Sequence, residues 1–299
     1  VLLQRGRPMR FRWDWLRPVV TAPYVPTIGP VHPSVLTDDL FADTLRAAGS
    51  RRFLPYDKDL RWSGTKDESV LTDAVVHRPG ETLIPTHLAR GAGTIKVYAY
   101  GVEPGSHIAA AELAQKLAAD HGASRARIVR FLGPEYASRF AQGVRIQLKD
   151  FSSGACPPPA RPLSTFADLS LDLREDFASF SEEMANDGFA FLYTRMQANA
   201  VGPVLVATTG GQVAGAIGPM EIRPDAIGRT QLMPQYFGVR TEHRGHGFGR
   251  ALWRAAMRWG QENGAAYQLL QTEVGGASDS LCQAEGLTSL GFVVTTTAR

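Results

Sequence analysis

The sequence predicts a mixed α/β protein with two α/β domains following one another along the chain. Strand-type and helix-type segments alternate in both halves, a proline-rich seam lies near the middle, and a glycine-rich stretch opens a long amphipathic helix in the second half. At 299 residues the chain is long enough for two domains of ordinary size. The apolar share of 44% and charged share of 20% are those of a soluble globular protein. No apolar run reaches the roughly 18 residues of a membrane span, so no membrane partner is expected.

A net charge of +3 gives no concentrated basic surface, and nucleic-acid binding gains no support. Cys156 and Cys282 lie far apart and form no metal-spacing motif, so no metal site and a reduced, cytoplasmic setting are expected. The opening "VLLQRGRPMRFRW" carries arginines but no signal-peptide core, and Met9 is read as the natural start.

The seam is "DFSSGACPPPARPLS", Asp150 to Ser164, where three consecutive prolines interrupt any helical or strand period. It sets the expected boundaries: an N-terminal α/β domain over 1–151, a linker over 152–163 and a C-terminal α/β domain over 164–299. In the N-terminal domain "FRWDWLRPVV" reads as extended, with a proline-rich loop behind it. A strand over Thr94–Tyr100, a helix over Ser106–Asp120 stopped by Gly122, a strand over Ala126–Phe131, a short helix in "GPEYASRFAQ" and a strand in "GVRIQLKDF" follow.

In the C-terminal domain Thr165–Gly188 carries one or two amphipathic helices. Val204–Ala207 and Val213–Ile222, joined through Gly210 and Gly211, read as a hairpin. "TQLMPQYFGV" is a third strand in which Pro234 and Gly238 predict a bulge or a break. After it, Phe248, Leu252, Ala255, Ala256 and Trp259 share one helical face and Arg250, Arg254 and Arg258 another, with Gly264 as the stop. "AAYQLLQTEV" is a strand, "SDSLCQAEG" a short helix ended by Gly286, and "TSLGFVVTTT" a final strand. The strand, helix, strand order of the first domain returns coarsely in the second.

The stretch "EHRGHGFGRALWRAA" decides the ligand class. A helix start leaves backbone N–H groups unpaired and carries partial positive charge, and glycines let an anion approach them. A Walker loop needs Gly-Lys-Ser/Thr, whereas Gly249 precedes Arg250 and Ala251. A dinucleotide fingerprint needs G-x-G-x-x-G, whereas Gly245, Gly247 and Gly249 alternate. Arg244, Gly247 and Gly249 instead fit Q/R-x-x-G-x-G/A. A tight strand-to-helix connection without a ligand is the plainer alternative.

With this motif and its flanking order, Ser164–Arg299 resembles the GNAT superfamily of acyl-CoA-dependent N-acetyltransferases. The resemblance implies a GNAT-like fold, a mixed sheet with helices on both faces, and acetyl-CoA as co-substrate. Phe237, Gly238 and Val239 would offer backbone groups to the acetyl and pantetheine portions. Arg244, Gly245, His246, Gly247, Phe248 and Gly249, with Arg250, would hold the pyrophosphate, Arg244 through its backbone or as a solvated arginine. His243 and His246 are expected to pack beside the coenzyme.

Many members place a tyrosine in Y-x-x-x-G-F as acid to the thiolate. "LCQAEGL" puts Cys282 there, and Leu287 at the phenylalanine. Cys282 is the catalytic candidate, with burial as a small apolar residue the alternative; Ser278, Ser280 and water are other donors. Glu273 is the candidate base and Glu221 a second.

"GVEPGSHIAAA" lacks such a glycine loop, so the N-terminal domain reads as a degenerate GNAT-like copy that completes the acceptor pocket, dimerises or supports its neighbour. The expected activity is acetyl transfer to a primary amine of a small molecule, and the alanine- and arginine-rich usage suggests an antibiotic or another secondary metabolite. A non-catalytic acyl-CoA-binding or sensing protein, and a protein N-acetyltransferase, are the alternatives.

Overall fold

The computed structural model describes residues 11–101, 104–136, 142–198 and 201–299. The expected start at Met9, and the part of the expected 133–142 helix beyond Tyr136 that precedes Gln142, lie outside the described residues. In chain order the principal elements are α1 (Trp13–Leu16), α2 (Asp38–Gly49), β1 (Glu68–Val70), β2 (Val76–Arg78), β3 (Glu81–Leu88), β4 (Thr94–Gly101), α3 (Pro104–Asp120), β5 (Arg125–Leu132) and β6 (Val144–Asp150). They continue with α4 (Leu171–Glu183), α5 (Phe189–Gln197), β7 (Leu205–Thr209), β8 (Gln212–Gly218), β9 (Ile222–Pro224), β10 (Thr230–Leu232) and β11 (Tyr236–Val239). The last are α6 (Phe248–Glu262), β12 (Tyr267–Glu273), α7 (Ala277–Ala284) and β13 (Thr288–Thr297).

The chain divides into two compact units, one of Val1–Leu148 with Leu269–Arg299 and one of Lys149–Gln268. This differs from the expected second domain of 164–299, whose last 31 residues fall in the first unit. β13 explains the difference, because it pairs antiparallel with both β5 and β6. Apolar periodicity identifies a strand but carries nothing about its partner.

In the first unit the sheet runs β6, β13, β5, β4, β3, β1, with β2 also on β3. β4 and β5 are parallel, a pairing that needs a crossover, and α3 supplies it. Ile95, Val97 and Ala99 of β4 pack with Ala110, Ala114 and Leu117 of α3. Tyr98 and Tyr100 alternate with them and stack on Phe131, the Tyr100 ring 4.6 Å from it. Phe11–Val20 is not extended: Arg12 C=O accepts from the amides of Trp15 and Leu16 and a helical turn forms. Aromatic content suggested a strand, but Leu16 and Val19 are buried at helical spacing.

In the second unit a sheet runs β11, β8, β7, with Ser164–Thr165 at its edge. α4 and α5 bury Phe177, Phe180, Phe189 and Leu192 with Val206, Val213 and Ala216. α6 packs on the same sheet, where Gly215 comes close to Leu252. Gly210 and Gly211 both have positive φ, the requirement of a type I′ hairpin between β7 and β8. β9 pairs antiparallel with β10, and β10 pairs parallel with the start of β12. The strand expected over "TQLMPQYFGV" is thus broken around Pro234: β10 and β11 belong to different sheets. Pro234 has no N–H for a ladder, which is the physical reason for a break there.

The helix face of α6 differs in detail from expectation. Phe248, Leu252 and Ala256 are buried as expected, together with Ala251, Trp253, Met257 and Gly260, whereas Ala255 and Trp259 are only half-buried.

Candidate functional site

β11 presents its residues alternately to two layers. A Cβ at Gly238 would stand 2.7 Å from Met184 Cε and 2.9 Å from the Phe189 ring, so the glycine lets α4 and α5 close onto the strand. Phe237 and Val239 face the other way, toward the start of α6, where a Cβ at Gly249 would meet them at 3.4 and 3.7 Å.

Arg240 follows Val239, the last residue of the strand, and the sequence alone does not reveal its role. Its side chain is 4% exposed and binds Asp176 with both terminal nitrogens, at 3.0 and 3.1 Å, while Nε donates to Glu183 at 3.0 Å. Burial alone would lower the guanidinium's pKa, but Asp176 and then Glu183 outweigh it and raise the value. The backbone N–H of Arg240 donates to Ala214 C=O, and its C=O accepts from His243. The entry to the glycine loop is therefore fastened both to β8 and to α4. A sequence signal existed in this buried cation after a strand, but its partners lie 57 and 64 residues away.

The loop turns through Gly245 at φ +79° and Gly247 at φ +84°, left-handed values that favour glycine. Gly247 is the N-cap of α6 and gives no side-chain cap. The first helical bond runs from Ala251 N–H to Gly247 C=O at 3.1 Å. Among the described residues, no acceptor takes the amides of His246, Gly247, Phe248 and Gly249, as expected where a helix begins uncapped. A Cβ at Gly245 meets nothing within 4 Å. The loop thus leaves unpaired amide donors at the positive end of a 15-residue helix, the features that suit a phosphate.

Arg244 folds back so that Nε donates to Val239 C=O at 3.1 Å, bracing the loop. The His243 ring packs edge-on against Phe248 at 5.8 Å. Arg161, which the sequence reading left in the linker, places Nη2 2.9 Å from His246 C=O and its guanidinium 4.5 Å over the Phe248 ring.

The second unit thus gathers Phe237, Gly238, Val239, Arg244, Gly245, His246, Gly247, Phe248, Gly249 and Arg250 around one helix start. Glu221 is in this unit too and is ion-paired with Arg223. Glu273 and Cys282 belong to the first unit. Glu273 ends β12 and is exposed. Cys282 is 2% exposed in α7, and its thiol is pushed up to about 12 by burial and then by the carboxylates of Asp279 and Glu285. A thiol so reluctant to ionise is a poor proton donor to a coenzyme thiolate, and it packs as a small apolar residue. Asp279, 1% exposed near the start of α7, accepts from Arg145 Nε at 2.8 Å, Thr272 Oγ1 at 2.9 Å and Gly275 N–H at 3.1 Å.

Fold and site together define a class: an α/β layer with an uncapped, glycine-led helix start one loop after a strand. Residues 168–279 match the model of the "Acetyltransferase (GNAT) family". It is 33% identical over 81 residues to "Probable N-acetyltransferase family 8 member 5" of Mus musculus, which covers 27% of this chain and 36% of the mouse protein. The chain therefore spans little more than a third of the length of that relative. Solved structures similar to it include the GCN5-related N-acetyltransferase of Sphaerobacter thermophilus, 16% identical with TM-score 0.44 over 74% of this chain and 82% of that one. A tandem GNAT protein of the clavulanic acid biosynthesis pathway is 17% identical with TM-score 0.46 over 88% of this chain and 96% of that one.

Among the described residues no helix is long and apolar enough to cross a membrane, and no group of His, Cys, Asp and Glu is placed to hold a metal ion.

Proposed function

We propose that the chain is an acetyl-CoA-dependent N-acetyltransferase whose donor lies with its pyrophosphate on the start of α6. One observation carries the reading: within the GNAT-matched span, left-handed Gly245 and Gly247 leave the amides of His246 to Gly249 open and without a protein acceptor. Acetyl-CoA supplies an activated acyl thioester. The residues present fit it, because the cradle offers backbone donors and Gly245, Gly247 and Gly249 add no Cβ to it.

The amides of His246, Gly247, Phe248 and Gly249 bind the pyrophosphate, and Arg244 braces the loop from Val239. Phe237 and Val239 present the strand beside the pantetheine portion, with their backbone groups positioning the acyl end. Arg250, on the first turn of α6, adds charge on the phosphate side. Cys282 is not assigned as the acid, and the leaving sulfur takes its proton from solvent.

The acceptor class we propose is a primary amine on a small molecule. The experiment is thiol release from acetyl-CoA across a panel of small amines and amine-bearing peptides. Release stimulated by an amine supports the enzyme. Tight coenzyme A binding without any stimulated release supports the second reading, a non-catalytic acyl-CoA sensor, which the buried and un-ionised Cys282 favours.

A further inference from the structure

The proline-rich segment is strapped along α6. At its near end Gln261, in the helix's last turn, donates to Phe151 C=O at 2.9 Å and Gly154 C=O at 2.8 Å and accepts from Cys156 N–H at 2.8 Å. At its far end Arg161 reaches the opposite terminus of the same helix, at His246 and Phe248. From Gln261 to Gly247 the helix rises about 21 Å at 1.5 Å per residue. Cys156 to Arg161, containing three consecutive prolines, spans about 16 Å at the 3.1 Å rise of polyproline, and the long arginine side chain covers the remainder. The prolines thus act as a stiff spacer of the length needed to deliver one guanidinium to the helix start.

That guanidinium sits at the electrically unfavourable end of a helix, where cations are repelled and anions attracted. Among the described residues no carboxylate pairs with it, whereas nearby Arg240 is held by Asp176 and Glu183, and Arg258 by Glu262. Its partners are one carbonyl and one ring face. Its Nε lies 3.9 Å from where a Cβ at Gly247 would stand, so it is over the loop itself.

We infer that Arg161 is a donor-binding residue: it closes the cradle opposite the amides of His246 to Gly249, so that the pyrophosphate is held between a positioned guanidinium and the helix start. Arginine suits this task because its planar fork stacks on Phe248 and keeps further N–H groups for phosphate oxygens. The inference rests on the donor site proposed above and adds to it a residue from outside the glycine motif.

The test is calorimetric titration of coenzyme A, and of dephospho-coenzyme A, into the full chain and into Arg161→Ala, Arg161→Gln and Arg161→Lys. Arg161→Gln keeps a donor for the His246 carbonyl but removes the charge, so it separates charge from loop bracing. Arg161→Ala and Arg161→Gln should each weaken both ligands by about tenfold or more, the scale of one charge-assisted hydrogen bond. Their affinities should also depend less on salt, Arg161→Lys should recover part of the loss, and melting without ligand should not change. Unchanged affinity in Arg161→Ala, with the unaltered chain binding well, overturns this inference alone. A loss seen with coenzyme A but not with dephospho-coenzyme A moves the guanidinium to the 3′-phosphate and overturns its placement at the pyrophosphate. No binding of either ligand to the unaltered chain overturns the donor site together with this inference.

Discussion

Gly245 and Gly247 set the character of the site, because their left-handed φ values let the chain turn into an uncapped helix start whose amides keep no protein acceptor among the described residues. That much was legible in the sequence, since alternate glycines before a helix are a local pattern. Arg240 and Arg161 were not legible. Their functions come from contacts 64 and 85 residues away in the chain, and one of them sits in a stretch whose composition reads as linker. At Cys282 the sequence supplied the position and the structure supplied the environment. The raised pKa and near-complete burial argue for packing over proton transfer. Cys282→Ala is therefore expected to leave acetyl transfer unchanged while costing about 1 kcal/mol of stability, the scale of a small buried truncation. A rate loss of about tenfold or more in a folded variant would restore the thiol to catalysis.

Helix ends were the most readable elements. Gly122, Gly264 and Gly286 were expected as stops, and each takes a positive φ. Behind them Ala123, Ala265 and Leu287 donate back to Ala118, Gly260 and Cys282, closing the same C-terminal motif three times. The glycine hairpin and the break around Pro234 were readable for the same local reasons. The start of α7 was not, because Asp279 is fixed largely by groups distant in sequence, Arg145 and Gln147 of β6, with Thr272 nearer by. Burial would raise the Asp279 pKa, but the hydrogen bonds from Arg145, Gly275 and Thr272 overturn this and lower it. A carboxyl with a lowered folded pKa stabilises the fold above its unfolded value of about 3.9 and loses that contribution as pH falls through the folded value. Asp279→Asn, which leaves the Arg145 charge buried and unpaired, should lower stability by about 3 kcal/mol at neutral pH in urea unfolding. The gap to the unaltered protein should narrow below about pH 4. A gap independent of pH would mean that shape at Asp279, and not its charge, secures α7.

At the scale of the whole molecule, the mixed α/β class and the alternating order were readable from periodicity, while the path of the chain was not. β13 reads as the last strand of the second half, yet its hydrogen bonds go to β5 and β6 of the first unit. Strand pairing is a long-range choice, and a strand of suitable pattern fits more than one edge. The glycine-led helix start escapes this ambiguity, since β11, the loop, α6 and Arg161 all lie in the one unit of Lys149–Gln268. The central claim is that this helix start holds the donor's pyrophosphate. A crystal structure of the chain grown with coenzyme A tests it most directly. The account predicts pyrophosphate oxygens about 2.7 to 3.2 Å from the amides of His246 to Gly249. Density for the coenzyme's phosphates at any other place on the chain, with those amides bound only to water, would contradict it.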